Sequence, residues 1–259
     1  MTILTIEAQP NAPVLSAPAN LRDLGGIPVE GGVIAKGFAV RSDDLSTVPL
    51  AVATELVEGG LSAIIDLRSG DEVWATGRGP FGEQPVSYHH VPLMRTISQA
   101  HMPKFEPGRI PPMGEFYPLM FETAAGPLVS ALAIMAYSPG AVAFHCAAGR
   151  DRTGVLAASL LLALGASDDD IVADYERTHA NMAGVSERTR VNLGAVMKKY
   201  GYDADVAARA ATIDFGADRA MEVTLHTLRK RHGDPLAPLR AAGLGDGLVA
   251  RLRERAGVA

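Results

Sequence analysis

The sequence predicts an α/β fold with a central, mostly parallel sheet flanked by helices, and with extra helices at the C-terminus. Two observations carry that prediction. Two short apolar runs, Ala63-Ile64-Ile65 and Ala141-Val142-Ala143-Phe144, have the length and content of buried strands, and each delivers polar residues at its C-terminal end. Helix-length apolar patterns alternate with them, as βαβ connections require.

Taken in order, residues 1–19 carry Pro10, Pro13 and Pro18 and read as an extended arm, ahead of a single domain over 20–259. Residues 27–41 suggest a hairpin: Ile27-Pro28-Val29, a turn at Glu30-Gly31-Gly32, then Val33-Ile34 and Phe38-Ala39-Val40. Leu50–Glu58 reads as a helix closed by Gly59-Gly60, and Val86–Val91 as another strand. Residues 94–116 hold Pro103, Pro107, Pro111 and Pro112 with little periodicity. A segment of that length is either functional, here a lid or rim over the site, or a plain surface loop. Phe116–Tyr137 reads as one amphipathic helix stopped by Ser138-Pro139-Gly140. After the strand at 141–144 a glycine loop leads into a helix from Thr153. Ser167 caps the next helix, and Asp168, Asp169 and Asp170 suit its first turn better than a metal site. That helix continues through 171–200 with a break near Gly184. Further helices at 217–232 and 247–256 make 185–259 a helical C-terminal part.

A chain of 259 residues can bury one sizeable core. Its net charge of −5 supplies no global basic field, which argues against nucleic acid and anionic membrane as partners. Anion attraction would have to be local, from Arg22, Arg68, Arg150 and Arg152. The single cysteine excludes an internal disulfide and a multi-cysteine zinc site, and no metal or cofactor is expected. Residues 1–16 lack a basic segment followed by an apolar core, and no run of 18 apolar residues exists. The expected location is the cytoplasm, or the exterior by a route without a cleaved signal. Oligomeric state has no signature.

The densest chemistry lies in His145-Cys146-Ala147-Ala148-Gly149-Arg150-Asp151-Arg152-Thr153-Gly154. A lone cysteine is ordinarily a small buried hydrophobe. This one is flanked by histidine, glycine, two arginines and an aspartate, the electropositive setting of a reactive thiol. Strand, tight loop and helix in succession would aim unpaired N–H groups at Cys146 and at a bound anion. Ala147, Ala148 and Gly149 let the backbone of 147–152 curl closely around that anion, with Arg150 and Asp151 in the same turn. Arg152 offers a planar fork for two phosphate oxygens, and Thr153 a hydroxyl for the sulfur. Together these residues suit displacement at phosphorus by Cys146, followed by hydrolysis.

A Cys-x5-Arg loop followed by Thr-Gly resembles the signature of the cysteine-dependent protein tyrosine phosphatase superfamily. Asn20-Leu21-Arg22-Asp23-Leu24-Gly25-Gly26, then Arg41-Ser42-Asp43, then Ile65-Asp66-Leu67-Arg68 narrow it. In order and spacing, over roughly residues 20–180, they resemble the bacterial and fungal atypical tyrosine phosphatases related to mycobacterial PtpB. The resemblance implies a tyrosine phosphatase-like fold, a helical lid in the region of 94–116, and hydrolysis through a cysteinyl-phosphate. It implies a phosphotyrosine protein substrate with room for dual specificity. A phosphoinositide or inositol-phosphate phosphatase is the alternative on the same scaffold, and a non-catalytic phosphate-binding module the alternative of another class. The module is disfavoured because Cys146, Arg152 and Thr153 are all present. Arg150 departs from the lysine usual in the nearest relatives, which leaves lipid activity in question.

The leaving oxygen needs a proton donor. Many members of the superfamily use an aspartate on a mobile loop some thirty residues before the cysteine, yet no aspartate occurs between Asp71 and Asp151. Two candidates follow. Asp151 lies inside the loop, as in the Cys-x4-Asp-Arg loops of the myotubularin and Sac lipid phosphatases. Asp66 ends a predicted parallel strand, at the edge where α/β sites form. Asp151 is preferred because it must lie near the bound phosphate. His145 either holds backbone beside the thiolate or is a satisfied core histidine. Arg22 and Asp23 read as structural supports of the loop. Arg68 is either near the substrate or a solvated partner of Asp66 or Asp71. Tyr175, His179 and Asn181 share one face of the following helix, which could approach the loop.

Overall fold

The computed structural model describes residues 13–94, 112–199 and 219–258, with backbone alone at 191 and 193–199. Five strands form one sheet in the order β1-β4-β7-β5-β6. β4 (Ala39–Ser42), β7 (Ala141–His145), β5 (Leu61–Asp66) and β6 (Ser87–His90) are mutually parallel, and β1 (Arg22–Asp23) closes one edge antiparallel to β4. The mixed α/β class and the mostly parallel central sheet are as the sequence predicts.

The central strands are apolar along their length because both faces are covered. Side chains alternate across the sheet. Ala63, Ile65, Val142 and Phe144 join one core with α4 (Ala125–Tyr137), α5 (Asp151–Leu164) and Leu252 of α10 (Asp246–Arg255). Ile64 and Ala143 join another with Ala53 of α1 (Leu50–Glu58) and with Phe81. β2 (Pro28–Val29) and β3 (Gly32–Val33) pair as a separate two-stranded ribbon. The expected hairpin over 27–41 is therefore shorter, and its last part, Ala39 onward, enters the main sheet as β4.

Two expected helices are divided. Residues 113–137 form α3 (Met113–Thr123) and α4, bent by 76° at Ala124. Pro127 has no N–H for the carbonyl four residues back, and it stands in the first turn of α4, where that N–H needs no partner. Beyond α5, Gly165 in the left-handed conformation and the Ser167 hydroxyl end one helix and cap α6 (Asp168–Glu176). The break before α7 (Met182–Lys199) lies at a short 3-10 turn, His179–Asn181, rather than at Gly184. α8 (Ala220–His232), α9 (Ala237–Ala241) and α10 complete the C-terminal part. A helix absent from the sequence reading, α2 (Gly70–Thr76), follows β5, its start set by a Ser69–Glu72 capping box. Of the segment expected to act as lid or rim, 95–111 lies outside the described residues, as do 1–12 of the expected arm and 200–218 of the C-terminal part. No single helix among the described residues is long and apolar enough to cross a membrane.

A buried charge cluster ties the sheet edge to α6. The Asp174 carboxylate accepts from Arg22 Nε of β1 at 3.0 Å and from Arg41 of β4, and all three side chains are buried. Removing the charge of one member of a buried ion pair costs about 3–5 kcal/mol. Asp174→Asn is therefore expected to lower unfolding free energy by about that much in urea titration. Asp168→Asn, which touches only an exposed pair with Arg229, should change it by about 1 kcal/mol or less.

Candidate active site

β4, β7 and β5 end in register, Ser42 opposite His145 and His145 opposite Asp66. The chain leaving β7 turns at once through Cys146 into the loop that opens α5, on the carboxyl edge where α/β sites form. The thiol is buried, and the Gly149 N–H donates to its Sγ at 3.3 Å. Gly149 has φ +67°, and a Cβ there would stand 2.6 Å from the backbone of Ser42 and Asp43, so only glycine fits.

The loop is held from outside by its carbonyls. Ala147 O accepts from the Asp44 N–H at 3.2 Å. Gly149 O accepts from Asn20 Nδ2 and from Arg41 Nη2, each at 3.0 Å. In a trans peptide, carbonyl and N–H point oppositely, so outward carbonyls at 147 and 149 turn the N–H groups of Ala148 and Arg150 inward. The loop and the first turn of α5 thus make a nest of donors around the position above the sulfur.

Arg152 is gripped by Glu72 through two parallel bonds, Nη1 to Oε2 at 2.6 Å and Nη2 to Oε1 at 2.9 Å. Burial opposes ionisation of Glu72, but the Arg152 charge and hydrogen bonds outweigh it and hold the carboxyl down at about 2. Burial likewise opposes the Arg152 charge, and Glu72 outweighs it, so the guanidinium stays above its ordinary value. Asp151, in the first turn of α5, accepts from Arg150 Nε at 3.2 Å and from the Tyr117 hydroxyl, with its side chain 30% exposed.

Asp66 is placed differently. It is 0% exposed, and its carboxylate takes Arg68 N at 2.9 Å, Arg68 Nη2 at 2.6 Å and the Tyr88 hydroxyl. Burial would raise it, but His145 and Arg68 hold it well below the usual carboxylate range. Arg68 is not solvated; it is buried between Asp66, Asp44, Ser46 Oγ and Thr76 Oγ1. His145 is buried with Nδ1 3.4 Å from the Leu45 N–H and Nε2 3.7 Å from Asp66, and burial lowers its pKa. Nδ1 also lies 3.3 Å from the Cys146 carbonyl oxygen.

Of the remaining expected residues, Arg22 reaches the loop through Asn20, whereas Asp23 accepts from Gly25 N and Gly37 N, each at 2.7 Å, and serves the β1–β2 turn. Thr153 Oγ1, the hydroxyl expected to serve the sulfur, is buried with no hydrogen-bond partner among the described residues, and the Gly149 N–H donates to Sγ. Tyr175 comes to the site; Asn181 bonds Asn20 at 3.1 Å. Residues the sequence reading missed are Glu72, Asn20, Arg41, Asp174, Tyr117 and Arg188, the last paired with Asp43. A cleft beside Ala147 is lined by Asp43, Asp44, Glu72, Thr76, Arg188 and Asn192, among others. Among the described residues no cluster of three or more His, Cys, Asp or Glu could hold a metal ion.

A buried thiol in a loop whose N–H groups turn inward, with the Arg152 guanidinium held by Glu72 in the same loop, is an arrangement suited to holding an anion on the edge of an α/β sheet. The family model described as the tyrosine phosphatase family matches residues 13–256, and this chain belongs to that family. A Cupriavidus necator protein designated by inference a tyrosine-protein phosphatase is 31% identical over 173 residues, 61% of this chain and 59% of its own length. The chain thus spans less than two thirds of that relative. A Nostoc commune tyrosine-protein phosphatase is 26% identical over 223 residues, 85% of this chain and 74% of its own.

The Glu72–Arg152 pair sets a pH dependence with a definite sign. A carboxyl held at about 2 when folded and at 4.5 when free stabilises the fold above 4.5, and that contribution is lost as pH falls through 2. Stability from urea titrations is expected to fall across that window, and Glu72→Gln to flatten the fall. An equal slope in the variant would show that Glu72 carries none of it.

Proposed function

We propose that this chain hydrolyses phosphate monoesters of phosphorylated proteins, phosphotyrosine foremost, through a cysteinyl-phosphate intermediate. The observation that carries this reading is the loop itself: the Cys146 sulfur lies beneath inward-facing N–H groups, with Arg152 fixed alongside by Glu72. In the first step Sγ attacks phosphorus, the bond to the leaving oxygen breaks, and that oxygen takes a proton from Asp151. The N–H groups and Arg152 hold the phosphoryl oxygens, where charge accumulates. In the second step Asp151 takes a proton from water, the water oxygen attacks phosphorus, and the thiolate departs.

Asp151 is the acid in this reading because an acid must carry a proton. Asp66 is enclosed by the Arg68 amide, the buried Arg68 guanidinium and the Tyr88 hydroxyl, which hold it ionised, whereas Asp151 stands part-exposed on the turn that bears Arg152. The cleft beside Ala147 supports protein over inositol phosphate. It carries Asp43, Asp44 and Glu72, and its cations Arg68 and Arg188 are already paired. Among the described residues that line it, no cation is left unpaired for a polyanionic ring.

Wild-type protein is expected to hydrolyse p-nitrophenyl phosphate under reducing conditions with chelator present, and Cys146→Ser to lose all turnover. Turnover that survives in Cys146→Ser would refute the covalent route, and none in wild type would leave the phosphate-binding module. Across a panel of phosphopeptides and phosphoinositides, phosphotyrosine peptides should be the best substrates; a phosphoinositide leading that panel would move the assignment to lipid.

A further inference from the structure

α3 and α6 bring two buried phenols to the one carboxylate inside the loop. The Tyr117 hydroxyl donates to Asp151 Oδ1 and lies 2.8 Å from the Tyr175 hydroxyl. The two rings meet edge to face, centroids 5.9 Å apart at 72°, and both side chains are buried. A phenol hydroxyl has one proton to give. With that of Tyr117 committed to Asp151, the proton between the two oxygens belongs to Tyr175, so the chain runs Tyr175 to Tyr117 to Asp151. Arg150 Nε holds the same Oδ1 at 3.2 Å. Two donors on Oδ1 fix the carboxyl plane and leave Oδ2 as the oxygen that exchanges a proton.

We propose that Tyr117 and Tyr175 are positioning residues: a hydroxyl chain that orients the Asp151 carboxyl for proton transfer to the leaving oxygen. The proposal rests on the reading of Asp151 as the acid. Buried phenols are commonly hydrogen-bonded somewhere. Here both hydroxyls spend their bonds on each other and on Asp151, and the packing leaves them little freedom. A Cβ on Gly154 of α5 would stand 3.0 Å from the Tyr175 ring, so that ring is seated directly against the catalytic helix.

Asp151 faces Arg150 on its own turn, Arg152 beside the thiol, Tyr117 from α3 and Tyr175 from α6, and Arg41 of β4 faces Tyr175 in turn. Deleting the Tyr117 donor removes the orientation of the carboxyl and slows transfer to the leaving group that needs the proton most.

The test compares Tyr117→Phe, Tyr175→Phe, Asp151→Asn and wild type on p-nitrophenyl phosphate and on phenyl phosphate, whose leaving group is poorer. Tyr117→Phe is expected to lose about tenfold in kcat on phenyl phosphate and under about threefold on p-nitrophenyl phosphate. Tyr175→Phe should shift the leaving-group ratio the same way by less. Trifluorotyrosine at 117, a donor of the same shape, should restore the wild-type leaving-group ratio and covers the case in which the phenylalanine variant folds poorly. An unchanged leaving-group ratio in Tyr117→Phe, beside a selective loss in Asp151→Asn, would overturn the chain alone. No selective loss in Asp151→Asn would overturn the acid and the chain together.

Discussion

The carbonyls of Ala147 and Gly149 point out of the loop, and most of the site follows from what holds them there. A loop that closes around an anion must turn its N–H groups inward, and planar trans peptides allow this only if the carbonyls find partners outside. Those partners are the Asp44 amide, the Asn20 side chain and the buried Arg41 guanidinium. Each lies on the segments around β1 and β4. The first part of the chain thus forms the outer wall of a loop that lies more than a hundred residues later. Gly149 is the narrowest point of that contact, since its Cα rests against the Ser42–Asp43 backbone.

Charges buried behind the loop are arranged in pairs because single charges could not be there. Arg22 and Arg41 share Asp174, Arg68 takes Asp66 and Asp44, and Arg152 takes Glu72. Buried pairs add little net stability against an apolar alternative, since desolvation offsets most of their attraction. What they provide is fixed direction. Arg152 has its fork set by Glu72 before any ligand arrives, so little side-chain entropy remains to be lost on binding. Glu72 in turn has its place set by the capping box that starts α2, so a local helix-start signal is converted into the orientation of the Arg152 guanidinium.

What could be read from the sequence was what depends on neighbours along the chain. The buried strands, the glycine loop, the Ser167 cap and the alternation that makes a parallel sheet are all local patterns, and all are present. The kink at Ala124 was missed because the apolar period runs on through it; Pro127 held the signal. Among the site residues, Cys146, Asp151 and Arg152 stand within one turn of chain. Glu72 was legible in principle, as Ser69-x-x-Glu72 is a capping box, but nothing local says that a capping carboxylate also reaches Arg152, eighty residues on. Asp174 and Tyr117 had no local signal. Their partners come from other elements, and only the sheet order and the crossing of α3, α5 and α6 bring them together. Asn20 and Arg41 lie within motifs that were noticed, yet their role, to hold a carbonyl, has no residue-type signature.

The placement of Asp66 shows how one strand end can offer a carboxylate and hold it in its ionised form. It terminates β5 at the edge where the site forms, which is why position alone made it a rival to Asp151. The same edge gives it Arg68 and the Tyr88 hydroxyl as donors, with the His145 ring 3.7 Å away, and these hold it ionised. Asp151 stands part-exposed in the first turn of α5, where it meets Arg150 and the Tyr117 phenol. In the reading proposed above, an acid in that turn has its distance to the reacting atoms set by backbone geometry and its direction by α3 and α6. The two carboxylates differ in surroundings, Asp66 enclosed and Asp151 open on one flank.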